Sequence, residues 1–192
     1  MNPLQKLWFD HRQAVWLDFI ERDLLTSGGL GAFVADDGVR GVTSNPSIFQ
    51  KAIEGGGAYT EAVSALLARD PGLSTQDLYE ALAIEDIRGA ADVLQPVWAE
   101  SEGGDGYVSL EVSPHLAHDT DQTVAEAQRL WAAVDRPNLM IKVPATAAGI
   151  PAIERLIAGG INVNATLMFS LADYEAVAQA YVRGIEKCSD PG

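Results

Sequence analysis

Five short apolar runs are spaced along the chain, and helical periodicity fills the intervals between them. Residues 14–19, 39–43, 107–112, 138–143 and 161–168 read as strands. Their continuous apolar character, without clean alternation, suits strands covered on both faces, as in parallel sheets. Ser74 with Asp77 makes a capping-box-like start to a long helix carrying Leu78, Leu82, Ile84, Ile87, Ala91 and Leu94. Val124, Ala127, Trp131 and Val134 keep helical spacing after the polar start 119–123. Ile150, Ile153 and Ile157 do the same after Gly149, with Pro151 in the first turn. Ser170 and Asp173 open a last helix, whose stripe Leu171, Tyr174, Val177, Tyr181 and Ile185 is expected to be buried. Residues 45–101 are too many for one crossover helix and predict two or three, broken at Gly55-Gly56-Gly57; residues 102–106 form a turn into the third strand. Strand alternating with helix at this spacing reads as repeated βα units around a parallel sheet.

The count of units changes that picture. Five βα units do not close a barrel, which takes eight strands and typically ~250 residues. The 192 residues suffice for one domain with a sizeable core. The expectation is therefore a single, truncated barrel domain over 1–192, with a loop-like ending at 188–192 where a sixth strand would stand. The formal net charge of −14 excludes a nucleic-acid backbone or an anionic membrane as partner, while leaving room for a small anionic substrate held by local cations. Cys188 is the one cysteine, so no intrachain disulfide forms. The first eight residues lack the basic start and apolar run of a signal peptide, and no stretch approaches the ~18 apolar residues of a membrane span. A reducing cytoplasm is the expected location.

One ammonium interrupts the fourth run, Asn138-Leu139-Met140-Ile141-Lys142-Val143-Pro144. Burial disfavours a charged ammonium relative to the neutral amine, and a neutral amine can attack a sugar carbonyl to form a Schiff base. A lysine turned to solvent from an edge strand, or paired with a carboxylate elsewhere, fits the run as well. The other strand ends bear on the choice. In βα barrels the reacting groups lie at the C-terminal ends of strands. Those ends read Asp18, then Thr43-Ser44-Asn45, then Glu111, Lys142, and Asn164 with Thr166. Each has an ordinary reading on its own: Asp18 as a cap of the next turn, Asn45 before Pro46 as turn chemistry, Thr166 as a strand former. Together they place two carboxylates, a lysine, two carboxamides and a hydroxyl around one rim, which is a Schiff-base site with its proton shuttles.

At these residues the chain resembles transaldolase. The likeness is carried by Gly41-Val42-Thr43-Ser44-Asn45-Pro46-Ser47-Ile48-Phe49 and by Val108-Ser109-Leu110-Glu111-Val112-Ser113. It continues through the Lys142 run ending Pro144-Ala145-Thr146 and through Ile161-Asn162-Val163-Asn164-Ala165-Thr166-Leu167-Met168-Phe169-Ser170, and the opening Val15-Trp16-Leu17-Asp18 fits too. The motifs span the chain in the family's order and look most like its long bacterial branch, some members of which are fused to a glucose-6-phosphate isomerase domain.

The resemblance implies a (β/α)8 TIM barrel of which about the first five βα units are present. It implies transfer of a dihydroxyacetone unit from sedoheptulose 7-phosphate to glyceraldehyde 3-phosphate in the pentose phosphate pathway, with no metal and no organic cofactor. In that reading Lys142 forms the Schiff base, Glu111 works with a water as general acid and base, and Asp18 abstracts the proton that starts carbon–carbon cleavage. Asn45 and Asn164 hold substrate hydroxyls, Thr166 positions the catalytic water, and Thr43 and Ser44 join the substrate-binding set. The family continues into a sixth strand with a serine and a phosphate-binding arginine, and a further such arginine beyond. Residues 1–192 show no nest or arginine fork for a phosphate. A fructose 6-phosphate aldolase uses the same lysine chemistry and is the near alternative, with Glu111 and Asn164 favouring the transferase. The other alternative is an inactive fragment or half of a split barrel, which self-associates or is completed by a C-terminal half, because an open sheet leaves edges to pair.

The remaining polar candidates have plain readings. His115 and His118 are three apart without a suitable third ligand, so no metal is expected. His11 reads as a surface residue. The glycines at 55–57 lack the Gly-Lys-Ser/Thr of a phosphate loop. Trp8, Trp16, Trp98 and Trp131 read as packing residues, and Cys188 has no thiolate-stabilising neighbour in sequence.

Overall fold

The computed structural model describes residues 1–55 and 57–189, which divide into two compact units. One comprises Met1–Val108 with Arg136–Asn138; the other comprises Ser109–Asp135 and the chain from Leu139 onward. The strands follow the chain order β1-β2-β3-β4-β5. Sequential parallel strands joined by helical crossovers are the arrangement of the (β/α)8 class, of which five βα units are present.

The first unit opens with α1 (Pro3–His11), whose cap residue Asn2 exchanges hydrogen bonds with Gln5: each side chain accepts from the other's backbone N–H. Then come β1 (Val15–Asp18), the short α2 (Arg22–Thr26) and α3 (Gly29–Ala32), and β2 (Val39–Thr43). Next are α4 (Pro46–Gly55), α5 (Thr60–Arg69) and α6 (Thr75–Glu100), the three helices that the length of 45–101 requires. The break expected at 55–57 includes Gly56, which lies outside the described residues. β1 pairs in parallel with β2, Trp16 opposite Gly41 and Asp18 opposite Thr43. Gly41 has a packing reason: a Cβ there would stand 2.3 Å from the Trp16 indole. Ser74 caps α6, accepting from Asp77 N–H and donating its hydroxyl to the Asp77 carboxylate at 2.6 Å. The α6 stripe Leu82, Ala83, Ile87, Ala90, Ala91 and Leu94 fills the core of this unit.

β3 (Tyr107–Glu111) starts in the first unit and ends in the second. Its entry turn is tied down by Arg40, which donates to buried Asp105 at 2.6 Å while its guanidinium lies 3.9 Å from the Trp8 ring centre. Gly106 closes the turn at φ +82°, where a Cβ would meet Trp98 N at 2.3 Å. Only glycine suits both the left-handed backbone and the close approach.

The second unit continues with α7 (Thr120–Val134), β4 (Leu139–Pro144), α8 (Gly149–Ala158), β5 (Val163–Thr166) and α9 (Leu171–Ser189). Asp119 caps α7 by accepting from Gln122 N–H at 2.9 Å. β4 and β5 pair in parallel, placing Lys142 opposite Asn164 and Pro144 opposite Thr166. Gly149 starts α8 hard against the end of β4, where a Cβ would overlap the Pro144 carbonyl oxygen at 1.9 Å.

Three expectations need correction. The strands are not covered alike on both faces: Leu139, Ile141 and Val143 of β4 are fully buried, whereas Met140 and Lys142 between them are only half-buried. That alternation follows the two-residue period of a strand and puts the polar residues on one face. The α9 stripe is not buried either. Leu171 (87% exposed), Tyr174 (61%) and Tyr181 (52%) are open, and Ile185 is exposed as well. The helix instead sets its small residues Ala180 and Gly184 against α8, where a Cβ on Gly184 would lie 2.8 Å from Ile157. Periodicity shows which residues share a face, not which face finds a neighbour. Finally, Cys188 and Ser189 belong to α9 rather than to a loop, while 190–192 lie outside the described residues. Among the described residues, no helix is long and apolar enough to cross a membrane.

Candidate active site

The strand ends of the second unit gather four of the expected residues. Glu111 ends β3 and Lys142 lies two residues before the end of neighbouring β4, the two linked by the hydrogen bond from Val112 N–H to the Lys142 carbonyl at 3.1 Å. Lys142 Nζ stands 3.6 Å from Glu111 Oε2, with 13% and 15% of the two side chains exposed. That separation is longer than the ~2.7–2.9 Å of a charge-assisted hydrogen bond and within the reach of one bridging water. Asn164 lies directly beside Lys142 in the β4–β5 register, and Thr166 is two residues further along the same face.

Asn164 is oriented by a residue that the sequence reading passed over. Its Nδ2 donates to the Ser109 hydroxyl at 2.9 Å, and Ser109 is fully buried on β3. The signal was available in the strand period: Ser109 is two residues before Glu111 and therefore on the same face. Just past Thr166 the chain turns sharply, with Leu167 at φ +57°. A non-glycine residue in that region is uncommon and often stands beside a functional position.

The first unit holds the other four. Asp18 is exposed at the end of β1, opposite Thr43, whose hydroxyl is buried without a hydrogen-bond partner among the described residues. Ser44 is fully buried. Asn45 heads α4, and its Oδ1 accepts from Ile48 N–H at 3.0 Å. The turn chemistry read for Asn45 is therefore real, and it leaves the amide NH2 to donate.

The same unit contains a buried ion cluster that the sequence reading also passed over. Asp86 interrupts the apolar stripe of α6 and is 2% exposed. Arg22 Nε donates to Asp86 Oδ1 at 2.8 Å and its Nη2 to Glu85 at 2.8 Å, while the Tyr59 hydroxyl donates to Asp86 Oδ2 at 2.6 Å. Arg22 also lies 4.8 Å over the Tyr59 ring. Burial pushes the Asp86 carboxyl above its ordinary range, against the opposing pull of Tyr59 and Arg22. Burial first, and the Asp86 carboxylate second, raise the Tyr59 phenol. An acid within a helix's apolar stripe was the sign that a buried partner existed.

His115 and His118 are exposed after β3, and among the described residues no group of three or more His, Cys, Asp or Glu gathers to hold a metal.

Residues 15–189 match the model of the family described as transaldolase/fructose-6-phosphate aldolase. A transaldolase of Thiobacillus denitrificans is 52% identical over 180 residues, covering 94% of this chain and 50% of that protein. A transaldolase of Thermobifida fusca is 51% identical over 191 residues, covering 100% of this chain and 51% of its own length. A protein of Nostoc punctiforme named transaldolase 2 is 48% identical over 175 residues, covering 91% and 45% respectively. The chain thus spans about half the length of the curated relatives it matches.

Proposed function

The chain belongs to the transaldolase/fructose-6-phosphate aldolase family, and from that premise we propose that Lys142 forms a Schiff base with the ketone of a phosphorylated ketose. The observation that carries the reading is the Lys142–Glu111 pair at 3.6 Å on neighbouring strand ends, with Asn164 in register beside the lysine. The amine nitrogen attacks the carbonyl carbon, and the carbonyl oxygen takes up a proton to give a carbinolamine. Glu111, through a water that Thr166 positions, protonates the departing hydroxyl, which leaves as water as the protonated imine forms. That imine is an electron sink.

Family membership, rather than local geometry, supports the remaining roles. Asp18 removes the proton of the hydroxyl next to the bond that breaks. The aldehyde departs, and the bonding pair enters the imine to leave an enamine on Lys142. Asn45 and Asn164, with Thr43 and Ser44, hold the substrate's hydroxyls. Addition of the enamine to an acceptor aldehyde, followed by hydrolysis of the imine, completes the transfer of a dihydroxyacetone unit from sedoheptulose 7-phosphate to glyceraldehyde 3-phosphate. The reaction stays within carbohydrate metabolism in the cytoplasm and uses no cofactor.

Borohydride reduction with fructose 6-phosphate tests the reading. The chain has four lysines, Lys6, Lys51, Lys142 and Lys187, so peptide mapping by mass is unambiguous. The expected result is a reduced adduct on Lys142 that disappears in Lys142→Met. Labelling of another lysine, or none, overturns it. Release of free dihydroxyacetone from fructose 6-phosphate without an acceptor would favour the aldolase over the transferase.

A further inference from the structure

The buried cluster around Asp86 also reaches a backbone group close to Asp18. β1 ends at Asp18, and the chain runs through Phe19, Ile20 and Glu21 into α2, whose first residue is Arg22. The N–H of a first helical residue has no partner within its own helix, and no side-chain hydrogen bond from Glu21 caps α2. The Arg22 N–H donates instead to the Tyr59 hydroxyl at 3.1 Å. That hydroxyl donates in turn to Asp86 Oδ2 at 2.6 Å, and both side chains are buried. The directions are fixed, because a backbone N–H can only donate and a phenol has one hydrogen, which Asp86 takes. Ile20, between Asp18 and Arg22, is fully buried. The segment leaving Asp18 is thus held two residues on by packing and four residues on by the Tyr59 hydrogen bond.

We propose that Tyr59 is a positioning residue for carbon–carbon cleavage: through the Arg22 N–H it fixes the turn after β1, and so the direction in which Asp18 presents its carboxylate. The inference rests on the proposed role of Asp18 as the base for cleavage. The peptide planes on either side of Asp18 set where its side chain points. Pairing with β2 fixes the first of them, and the turn fixes the second. Without the hydroxyl the Arg22 N–H turns to water and the turn gains freedom. A misplacement of ~1 Å arising away from the reacting atoms can cost ~10²-fold in rate. Tyr59 touches no substrate in this scheme and acts through Asp18 alone. Imine formation at Lys142 does not use Asp18, so it serves as the internal reference.

The test measures two rates on the full chain. One is single-turnover release of glyceraldehyde 3-phosphate from fructose 6-phosphate; the other is trapping of dihydroxyacetone on Lys142 with cyanoborohydride, quantified by mass. The readout is the ratio of release to trapping within each variant. Both rates scale with the amount of folded chain, so a purely structural role for Tyr59 lowers them together and leaves the ratio unchanged. Tyr59→Phe keeps the ring and its packing, and there the ratio is expected to fall about tenfold. Asp18→Asn removes the base itself and is expected to lower the ratio further. A ratio within about twofold of the parent in Tyr59→Phe overturns the assignment, since it leaves no room for misplacement of the base. Amide hydrogen exchange on the parent chain gives a second check that needs no variant. The Arg22 N–H should exchange at least about tenfold more slowly than an unstructured amide, and exchange at the unstructured rate overturns the assignment as well. If the parent traps dihydroxyacetone yet releases no aldehyde, or if Asp18→Asn keeps the parent ratio, the role of Asp18 falls and the assignment with it. If the parent does not label Lys142 at all, the Schiff-base reading itself falls, which separates the failures.

Discussion

Each unit carries a cation beside a carboxylate, and the two cations are equally exposed: 13% of the side chain for Arg22 and 13% for Lys142. What differs is the acid and the distance. Asp86 is 2% exposed and lies 2.8 Å from Arg22, with the Tyr59 hydroxyl on its other oxygen at 2.6 Å. Glu111 is 15% exposed and stands 3.6 Å from Lys142. The first arrangement occupies both oxygens of a desolvated carboxylate with good hydrogen bonds, the condition under which a buried ion pair is tolerated. The second leaves 3.6 Å between acid and amine, a gap that the proposed mechanism bridges with a water. The same charge pairing thus takes two forms, and geometry rather than residue type separates them.

Removing each acid should give opposite profiles, and this is the largest effect expected. Asp86→Ala strands a buried guanidinium and phenol and should cost about 3–5 kcal/mol of stability, measured by urea unfolding. Glu111→Ala should cost less than Asp86→Ala, because its oxygen stands 3.6 Å from the lysine rather than at hydrogen-bonding distance. Its effect should fall instead on borohydride trapping, slowed by roughly 10²–10⁴-fold as for loss of a general acid or base. Equal stability losses in the two variants would erase the distinction.

Tyr59 sharpens the contrast at high pH. Its phenol is raised by burial and by the Asp86 carboxylate, so the folded chain keeps that proton at a pH where the unfolded chain releases it. The folded state then binds more protons, and stability falls as pH climbs past the ordinary phenol value of about 10. The slope for one such proton is about 1.4 kcal/mol per pH unit. Tyr59→Phe should lose about 1 kcal/mol near neutrality, the worth of one hydrogen bond. The gap between parent and variant should then close above pH ~10. A gap that holds constant to pH ~11 would mean that the phenol is not held by this cluster.

The order of strands and helices was legible because the local signals agreed: apolar runs, capping residues such as Ser74 and Asp119, and the helix-starting Gly149. Within the second unit the neighbourhood of Lys142 was legible in part, since Asn164 falls beside it in the β4–β5 register. What escaped depends on partners distant in sequence. Asp86 looks like a misplaced charge until Arg22 and Tyr59, 64 and 27 residues away, are seen to meet it. Ser109 looks like a small strand residue until Asn164, 55 positions on, is found donating to it. The α9 stripe failed for a related reason. Its periodicity was correct, but Ala180 and Gly184 allow the closest approach to α8, so contact goes to the small residues while Leu171 and Tyr174 stay open.

A third ion cluster provides the exposed limit of the comparison. Glu154 of α8 accepts from Arg183 at 2.7 Å and from Lys187, both on α9, whose side chains are 47% and 62% exposed. Lys187 first, and Arg183 second, hold the Glu154 carboxyl below its usual range. The folded state therefore releases this proton more readily than the unfolded one. The resulting stability is present above the ordinary glutamate value of about 4.3 and lost as pH falls below it, the reverse of the Tyr59 case. Both cations reach well into solvent, so Glu154→Gln should cost less than about 1 kcal/mol. That loss should shrink further at ~1 M salt, where the Debye length is ~3 Å. Asp86→Ala, by contrast, should keep its cost in salt, because its partners are shielded from counterions. Urea midpoints of the two variants at low and high salt test this. Equal salt sensitivity would show that exposure does not set what these pairs contribute, and would remove the physical basis for separating the Arg22–Asp86 cluster from the other two.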